Sequence, residues 1–251
     1  MIITKKLFLG LSAILLLTAS YVTQASSAKF FADAGLSIKA LEFKAQSSDS
    51  TTSYKLAPVF TMLSLSGGMV VENFYVTANL ENSLFDAKLD GVVYGGDSDS
   101  LSRADRNITF GYYLRNTLSV FAGYLTGKTE DNYSSPLGNN ETGTISFSEN
   151  GPFVGANYLV LFTKGALSLN FAYAFLDGEY KNSYKNDATA GERKYTGDTT
   201  GISLGAKYVG QWTDNVNYYA GAKINLFDFS SATFNSEENF YIAQAGLTYK
   251  F

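Results

Sequence analysis

The sequence contains no cysteine and no histidine, and only three prolines. Without cysteine the chain has no disulfide framework, no lipid-anchoring thiol and no thiol nucleophile. Without histidine it lacks the side chain that most often serves as a general base or a metal ligand near neutral pH. We therefore predict no metal site and no cofactor. The residues that are plentiful, 18 tyrosines, 19 phenylalanines and 23 glycines, favour strands and turns over helices.

Long hydrophobic runs are also missing. The mean hydropathy is -0.04, and no stretch reaches the roughly 20 apolar residues that a membrane-spanning helix needs. One shorter apolar run, residues 7–17, follows Lys5 and Lys6 and precedes a segment of small residues. Such a run of about 11 residues is typical of a secretory signal peptide. We predict a signal peptide at residues 1–25, with cleavage after Ala25 or Ala28, and a single domain at residues 26–251.

From residue 31 onward the chain repeats one pattern, in which apolar side chains alternate with small or polar ones. Its clearest example is the pair of stretches 154–162 and 167–175, which are separated by a short turn. Since successive side chains of a strand point to opposite faces, each stretch predicts a strand with one apolar face. We count about ten such strands, with eight or twelve also compatible, each about 10 residues long, enough for a tilted strand to cross a bilayer.

Short and long connections alternate along the chain. Turns are predicted at residues 66–68, 115–117, 163–165 and 211–215, and long polar loops at residues 45–53, 81–105, 128–150, 177–198 and 229–238. A slip or bulge is predicted near residues 41–43, where the alternation changes face. The predicted fold is all-β: an antiparallel up-and-down transmembrane β-barrel with short periplasmic turns and long extracellular loops. A soluble β-sandwich is the alternative, but its strands are usually only about 5–6 residues long.

The last strand of the sequence carries a resemblance to a known class. Its one face is formed by Tyr241, Ala243, Ala245, Leu247, Tyr249 and Phe251, and the chain stops on the aromatic Phe251. This segment resembles the closing strand of bacterial outer-membrane β-barrels, and the resemblance implies that Tyr249 and Phe251 form the signal read by the barrel assembly machinery. By its overall pattern the chain is similar to the small opacity-protein and surface-antigen type of barrel.

Seven residues on the polar strand faces are predicted to line the barrel interior: Asp33, Lys39, Tyr113, Lys207, Tyr219, Lys223 and Lys250. Two interpretations stay open. Either these groups hydrogen-bond across a filled interior, or a basic excess lines a water path that favours anions. About ten strands leave a narrow bore, which favours the filled interior. Aromatic rings are expected at both membrane interfaces, with Phe43, Tyr124 and Phe175 at the outer one and Trp212 and Phe162 at the inner one.

The predicted loops are acidic. They hold 18 of the 23 acidic residues and 7 of the 19 basic ones, a net charge of -11, which disfavours binding to nucleic acid. Small outer-membrane barrels that are enzymes rely on histidine, so the resemblance implies a protein that is not an enzyme. We predict a surface protein of the cell outer membrane whose acidic loops serve surface interaction, adhesion or envelope integrity. The alternative is a narrow porin-like channel for small solutes. The expected partners are outer-membrane lipid, lipopolysaccharide, the barrel assembly machinery and an extracellular ligand.

Overall fold

The computed structural model of the chain describes residues 28–47, 53–88, 100–135, 141–186, 189–232 and 234–251. The predicted signal peptide lies outside these residues. The strand segments, in chain order, are β1 (Ala28–Ser47), β2 (Ser53–Leu56), β3 (Val59–Val71), β4 (Phe74–Ser83), β5 (Ala87–Lys88), β6 (Ser100–Arg115), β7 (Leu118–Ser135), β8 (Glu141–Phe162), β9 (Gly165–Lys185), β10 (Ala190–Gln211), β11 (Val216–Ser230) and β12 (Phe234–Lys250).

Among the residues that the structure describes, no helix is long and apolar enough to cross a membrane.

The strands form one closed antiparallel barrel. Each long strand pairs with its neighbours in sequence, and β12 pairs with β1 from Phe31–Lys250 to Ser47–Phe234, which closes the cylinder. β2 and β3 both pair with β1, and β4 and β5 both pair with β6, so each of these couples is one interrupted barrel strand. The barrel therefore has ten strands, as the sequence predicted, in up-and-down order.

The two ends of the barrel differ. The end that we name the turn end carries four tight connections, at residues 72–73, 116–117, 163–164 and 212–215, together with Ala28 and Lys250. The opposite end is named the hairpin end. Three of the four turns lie where the sequence predicted them. The first does not, because Ser66, Gly67 and Gly68 continue β3, and the chain reverses at Glu72 and Asn73, where Glu72 has a φ of 54°.

The predicted slip at residues 41–43 is also wrong. β1 keeps one register with β12 through this region, and the irregularity lies in the neighbouring strand, where Ala57 and Pro58 interrupt the ladder. Proline cannot donate a backbone hydrogen bond, although its carbonyl accepts one from Leu41 N at 2.9 Å. Because the register does not slip, Phe43 points into the barrel and packs on Phe147, with ring centroids 6.4 Å apart, instead of joining an outer belt.

Most residues of the predicted long loops are strands. β9 and β10 stay paired to Lys185–Ala190, and β7 and β8 to Ser135–Glu141, so that these two connections are only four and five residues long. These segments continue the barrel wall beyond its apolar zone. We name residues 127–135, 141–150, 177–185 and 190–198 the extension.

An apolar belt surrounds the barrel between the turn end and the extension. Its outward side chains are large, apolar and exposed, and they include Leu36, Ile38, Phe74, Ile108, Phe110, Val154, Tyr158, Leu169, Phe171, Phe175, Ile202, Leu204, Leu226, Tyr241 and Leu247. One step further along their strands the outward residues become polar, as at Arg106, Thr126, Asp177, Thr200 and Asp228. Exposed apolar surface of this extent is stable against lipid and unfavourable against water.

Aromatic rings on the inner face pack directly against the backbone of inward-facing glycines. A Cβ on Gly111 would lie 2.0 Å from the Tyr75 ring, and one on Gly201 would lie 2.3 Å from the Phe227 ring. The rings therefore lie flat across glycines of the adjacent strands. This explains why the inner faces combine glycine with tyrosine and phenylalanine.

Candidate functional site in the barrel interior

Lys39 lies at the centre of a buried network on the inner wall. Its ammonium group pairs with Glu81 and, at 2.5 Å, with Asp105, and the residue is only 5% exposed. Ser37, two residues before it on the same face, donates a hydrogen bond to Glu81. Strands β1, β4 and β6 thus each contribute one charged side chain to this point.

Arg103 continues the network toward the hairpin end. Its guanidinium contacts Asp105 at 2.9 Å and Glu238 at 3.5 Å, and donates to Thr129 Oγ1 at 2.8 Å. The same group lies 4.0 Å from the centre of the Phe240 ring. Arg103 is 6% exposed, so these contacts replace nearly all of its hydration.

Glu149 is the carboxylate of this region whose charge is least balanced by neighbouring donors and cations. It is 2% exposed, and its Oε1 is buried without a hydrogen-bond partner among the described residues. Burial, reinforced by the charge of Glu238, raises the pKa of the Glu149 carboxyl well above its ordinary value, and Arg103 opposes the shift only in part. Burial likewise raises the pKa of Glu238 to about 7. Both carboxyls lie beyond the apolar belt, where the outward neighbours Glu237 and Asn150 are polar.

The structure places the seven predicted interior residues at several levels. Asp33 accepts a hydrogen bond from Ser66 at 2.7 Å. Tyr113 packs on Tyr75, with centroids 5.2 Å apart. Lys39 belongs to the buried network, and Tyr219 is 7% exposed with Lys207 Nζ 5.1 Å from the centre of its ring. Lys223 lines two interior cavities, and Lys250 is exposed at the turn end.

Five charged residues of the interior were missed by sequence reasoning: Glu81, Arg103, Asp105, Glu149 and Glu238. They fell within segments predicted as solvated loops. The alternation of faces along β6 could have found two of them, because Arg103 and Asp105 are separated from Asn107 and Tyr113 by even numbers of residues and therefore point to the same inner face. Glu81, Asp105, Glu149 and Glu238 add acidic groups to an interior in which the sequence pointed mainly to lysines.

An apolar layer packs around the network near the edge of the belt that faces the hairpin end. Phe60 and Met62 are fully buried, Phe240 is 1% exposed, and Phe153, Leu176 and Phe227 belong to the same cluster. Above it, inside the extension, Phe147 packs edge-on against Phe229 at 5.5 Å between centroids. The interior toward the hairpin end is thus filled by side chains.

Two cavities adjoin this layer, and the larger one reaches Arg103 and Glu149 of the charged network. One has a volume of about 450 Å³ and the other about 370 Å³. Both are lined by Lys207 and Lys223, together with Asn107, Asn170 and Asn225. Volumes of this size fall within the range of about 300–1,000 Å³ that is typical of small-molecule sites.

Comparison with known proteins gives a fold but no sequence family. No protein-family model and no curated protein matches the chain. Among solved structures, the outer membrane protease OmpT from Escherichia coli is similar, with a TM-score of 0.68 and 14% identity, covering 91% of this chain and 98% of OmpT. The translocator domain of the autotransporter NalP from Neisseria meningitidis matches with a TM-score of 0.49 and 10% identity, covering 98% of this chain and 96% of that domain.

The OmpT match shows the fold alone, because 14% identity is too low to carry an activity from one chain to another. The fold agrees with the closed ten-stranded wall, the apolar belt and the polar interior. The chain is an outer-membrane-type β-barrel protein.

Proposed function

We propose that the protein is an integral barrel of the cell outer membrane that presents its extension outside the cell as a surface for contact with other molecules or cells. The observation that carries this proposal is the length of the extension. From Asp177 to Lys185 strand β9 is paired on both sides. Nine residues of strand measure about 30 Å along the strand at roughly 3.3 Å per residue, which is about 20–25 Å along the barrel axis at the tilt of about 35–45° that is usual for such barrels. Closure of the barrel does not require this length.

The outer face of the extension is suited to water. Lys181 pairs with Glu192 at 2.9 Å and Lys194 with Glu179 at 2.8 Å, all on exposed side chains. The hydrogen bond and charge of Glu192 raise the pKa of Lys181, and Lys181 in turn lowers that of Glu192. Exposed pairs of this kind add little stability, but they keep a projecting sheet edge soluble and specific in its contacts.

We propose a role without catalysis. Small outer-membrane barrels that act as enzymes use histidine, and the sequence has none. The buried charged groups found in the interior are partnered largely with one another. Outer-membrane lipid, lipopolysaccharide and the barrel assembly machinery, the last through Tyr249 and Phe251, are the proposed partners. These two rings lie on the lipid-facing side, 4.9 Å apart.

Orientation can be tested with single cysteines, because the chain has none of its own. Thr189→Cys, at the hairpin end, should react with a membrane-impermeant maleimide on intact cells. The matched variant Lys164→Cys, at the turn end, should react only after the outer membrane is permeabilised. The opposite labelling pattern would contradict the proposed orientation, and release of the protein by carbonate extraction would contradict membrane integration.

The contact role can be tested by shortening one hairpin. Glu179 and Thr196 are paired neighbours, so residues 180–195 can be replaced by Asn-Gly without changing the register below. The variant should still insert and show heat-modifiable migration in gels, whereas attachment and aggregation of the producing cells should fall severalfold. Unchanged attachment with a folded, surface-exposed variant would count against the proposal.

A narrow channel is the second candidate, and the two interior cavities favour it. It is supported less well because the buried network and apolar layer fill the interior near the hairpin end. Planar-bilayer recordings of the folded protein should show no regular conductance steps if the surface role is correct.

A further inference from the structure

Lys207 and Lys223 form a like-charged pair on adjacent strands. Lys207 of β10 is opposite Gly221 of β11, and Lys223 of β11 is opposite Gly205 of β10. The two lysines are therefore diagonal neighbours on one face, a separation of roughly 7–8 Å between Cα atoms in an antiparallel pair. Both lysine side chains reach the two cavities, which they line.

No carboxylate of the described residues lies within ion-pair distance of either lysine. Four carboxylates line the larger cavity: Asp33, Glu81, Asp105 and Glu149. Glu81 and Asp105 pair with Lys39, and Asp105 also pairs with Arg103, whereas Asp33 accepts a hydrogen bond from Ser66. Lys207 Nζ is held instead over the Tyr219 ring at 5.1 Å, a weaker interaction than an ion pair with a carboxylate in a desolvated site. Neither ammonium group has a carboxylate partner among the described residues, so an anion that enters between the two side chains supplies the counter-charge that both lack.

A hydrogen-bond acceptor without a donor lies beside the lysines. Asn225 follows Lys223 by two residues on the same face, and its Oδ1 is buried with no hydrogen-bond partner among the described residues. Asn170 lies on the other side, where its amide covers Gly205, since a Cβ added there would approach Asn170 Oδ1 to 2.7 Å. Asn170, Asn225, Lys207 and Lys223 line both cavities and so mark their junction.

We propose that this junction binds a small hydroxylated organic anion of the size of a sugar acid. Lys207 and Lys223 bind its carboxylate, and Asn225 Oδ1 accepts a hydrogen bond from one of its hydroxyl groups. The Phe227 ring, which lines both cavities, offers an apolar face to the carbon skeleton. The proposal does not depend on the contact role of the extension, because it concerns only the barrel interior.

The test uses the folded barrel in detergent with D-glucuronate as the probe, followed by calorimetry or by intrinsic fluorescence. Saturable binding is expected, weakened at least tenfold in Lys223→Met and in Lys207→Met and unchanged in the control Lys250→Met, whose side chain is exposed at the turn end. Asn225→Leu should weaken D-glucuronate but leave acetate unaffected. D-glucose, which lacks the charge, should bind at least tenfold more weakly than D-glucuronate.

Three outcomes would overturn the proposal: no saturable binding of D-glucuronate, binding that survives both lysine substitutions, or equal affinity for D-glucose. Heat-modifiable migration of each variant establishes that it is folded. Arg103 and Lys39 should not be substituted in this experiment, because their buried ion pairs support the wall itself.

Discussion

Glu149 illustrates what burial does to a single charged residue in this barrel. Three carboxylates, Asp105, Glu149 and Glu238, face the one guanidinium of Arg103. Arg103 contacts two of them directly, and Glu149 keeps an oxygen without a donor. An ionised carboxylate in this position is costly, so the protonated form is favoured in the folded state.

The first prediction concerns the pH dependence that follows. An acid whose pKa is raised by folding holds its proton in the folded state after the unfolded chain has lost it, so the free energy of unfolding decreases as the pH rises. The decrease should extend from about pH 4.5, the ordinary value for glutamate, to about pH 7, the value for Glu238. Glu149→Gln should flatten this profile and stabilise the protein at pH 8, because it removes a buried acid whose pKa burial raises well above its ordinary value.

Urea unfolding of the barrel in micelles at pH 5 and pH 8 measures this effect. Glu130→Gln, on an exposed side chain of the extension, serves as the control and should leave the profile as it is. A Glu149→Gln variant that is less stable than the wild type at pH 8 would show that the carboxylate is paired and needed.

The second prediction uses the neighbouring glycines of β3. A Cβ on Gly68 would lie 2.5 Å from Val76 O and 2.6 Å from the Phe31 ring, whereas a Cβ on Gly67 meets nothing closer than 3.5 Å. Gly68→Ala should therefore destabilise the barrel by about 1–3 kcal/mol, as overpacking does, and Gly67→Ala should cost little. Urea midpoints of the two variants give the comparison, and equal midpoints would contradict the strand assignment of this segment.

At the scale of elements, the strands change their pattern where the apolar belt ends. Within the belt the outward residues are apolar and the inward ones small or polar. In the extension the outward residues are charged or polar, and the inward ones include Phe147, which packs on Phe229 of β11. The alternation continues, but now the apolar residues point inward and the polar ones outward, as at Phe227, Asp228 and Phe229. A strand prediction that requires apolar outward faces therefore assigns these segments to loops.

The third prediction follows from this assignment. Backbone amides of residues 179–184, which pair with β8 and β10, and every second amide of residues 191–196, which pair with β9 alone, should be protected from hydrogen exchange for at least minutes. Mass spectrometry of peptides from the folded barrel measures it. Complete exchange within seconds, as in a solvated loop, would show that the extension is not a sheet.

At the scale of the whole molecule, closure through β1 and β12 decides the character of the protein. These strands are far apart in sequence, and their pairing closes the sheet within the apolar belt. An open sheet would have two edge strands whose unpaired backbone groups would be costly in lipid. Closure also creates the interior, since residues from β1, β6, β8 and β12 meet only across the finished cylinder.

The fourth prediction tests this closure. Ala34 and Leu247 are partners in the β1–β12 ladder, so the double variant Ala34→Cys, Leu247→Cys should form a disulfide in the exported protein. The control pairs Ala34→Cys with Ala243→Cys, which the register displaces by four residues, about 13 Å along the strand. Tryptic mapping identifies the bridge. Cross-linking in the control but not in the designed pair would indicate another register or an open sheet.

The sequence by itself determined the class of fold and three of the four tight turns, and it favoured ten strands while eight or twelve stayed compatible. These features are local: side-chain alternation, strand length and turn composition can all be read along the chain. The partners of the buried charges were decided only by the tertiary structure. Lys39 meets Glu81 and Asp105, and Arg103 meets Glu238, because strand register and barrel closure bring distant residues to one level, and neither register nor closure is encoded in any single stretch of residues.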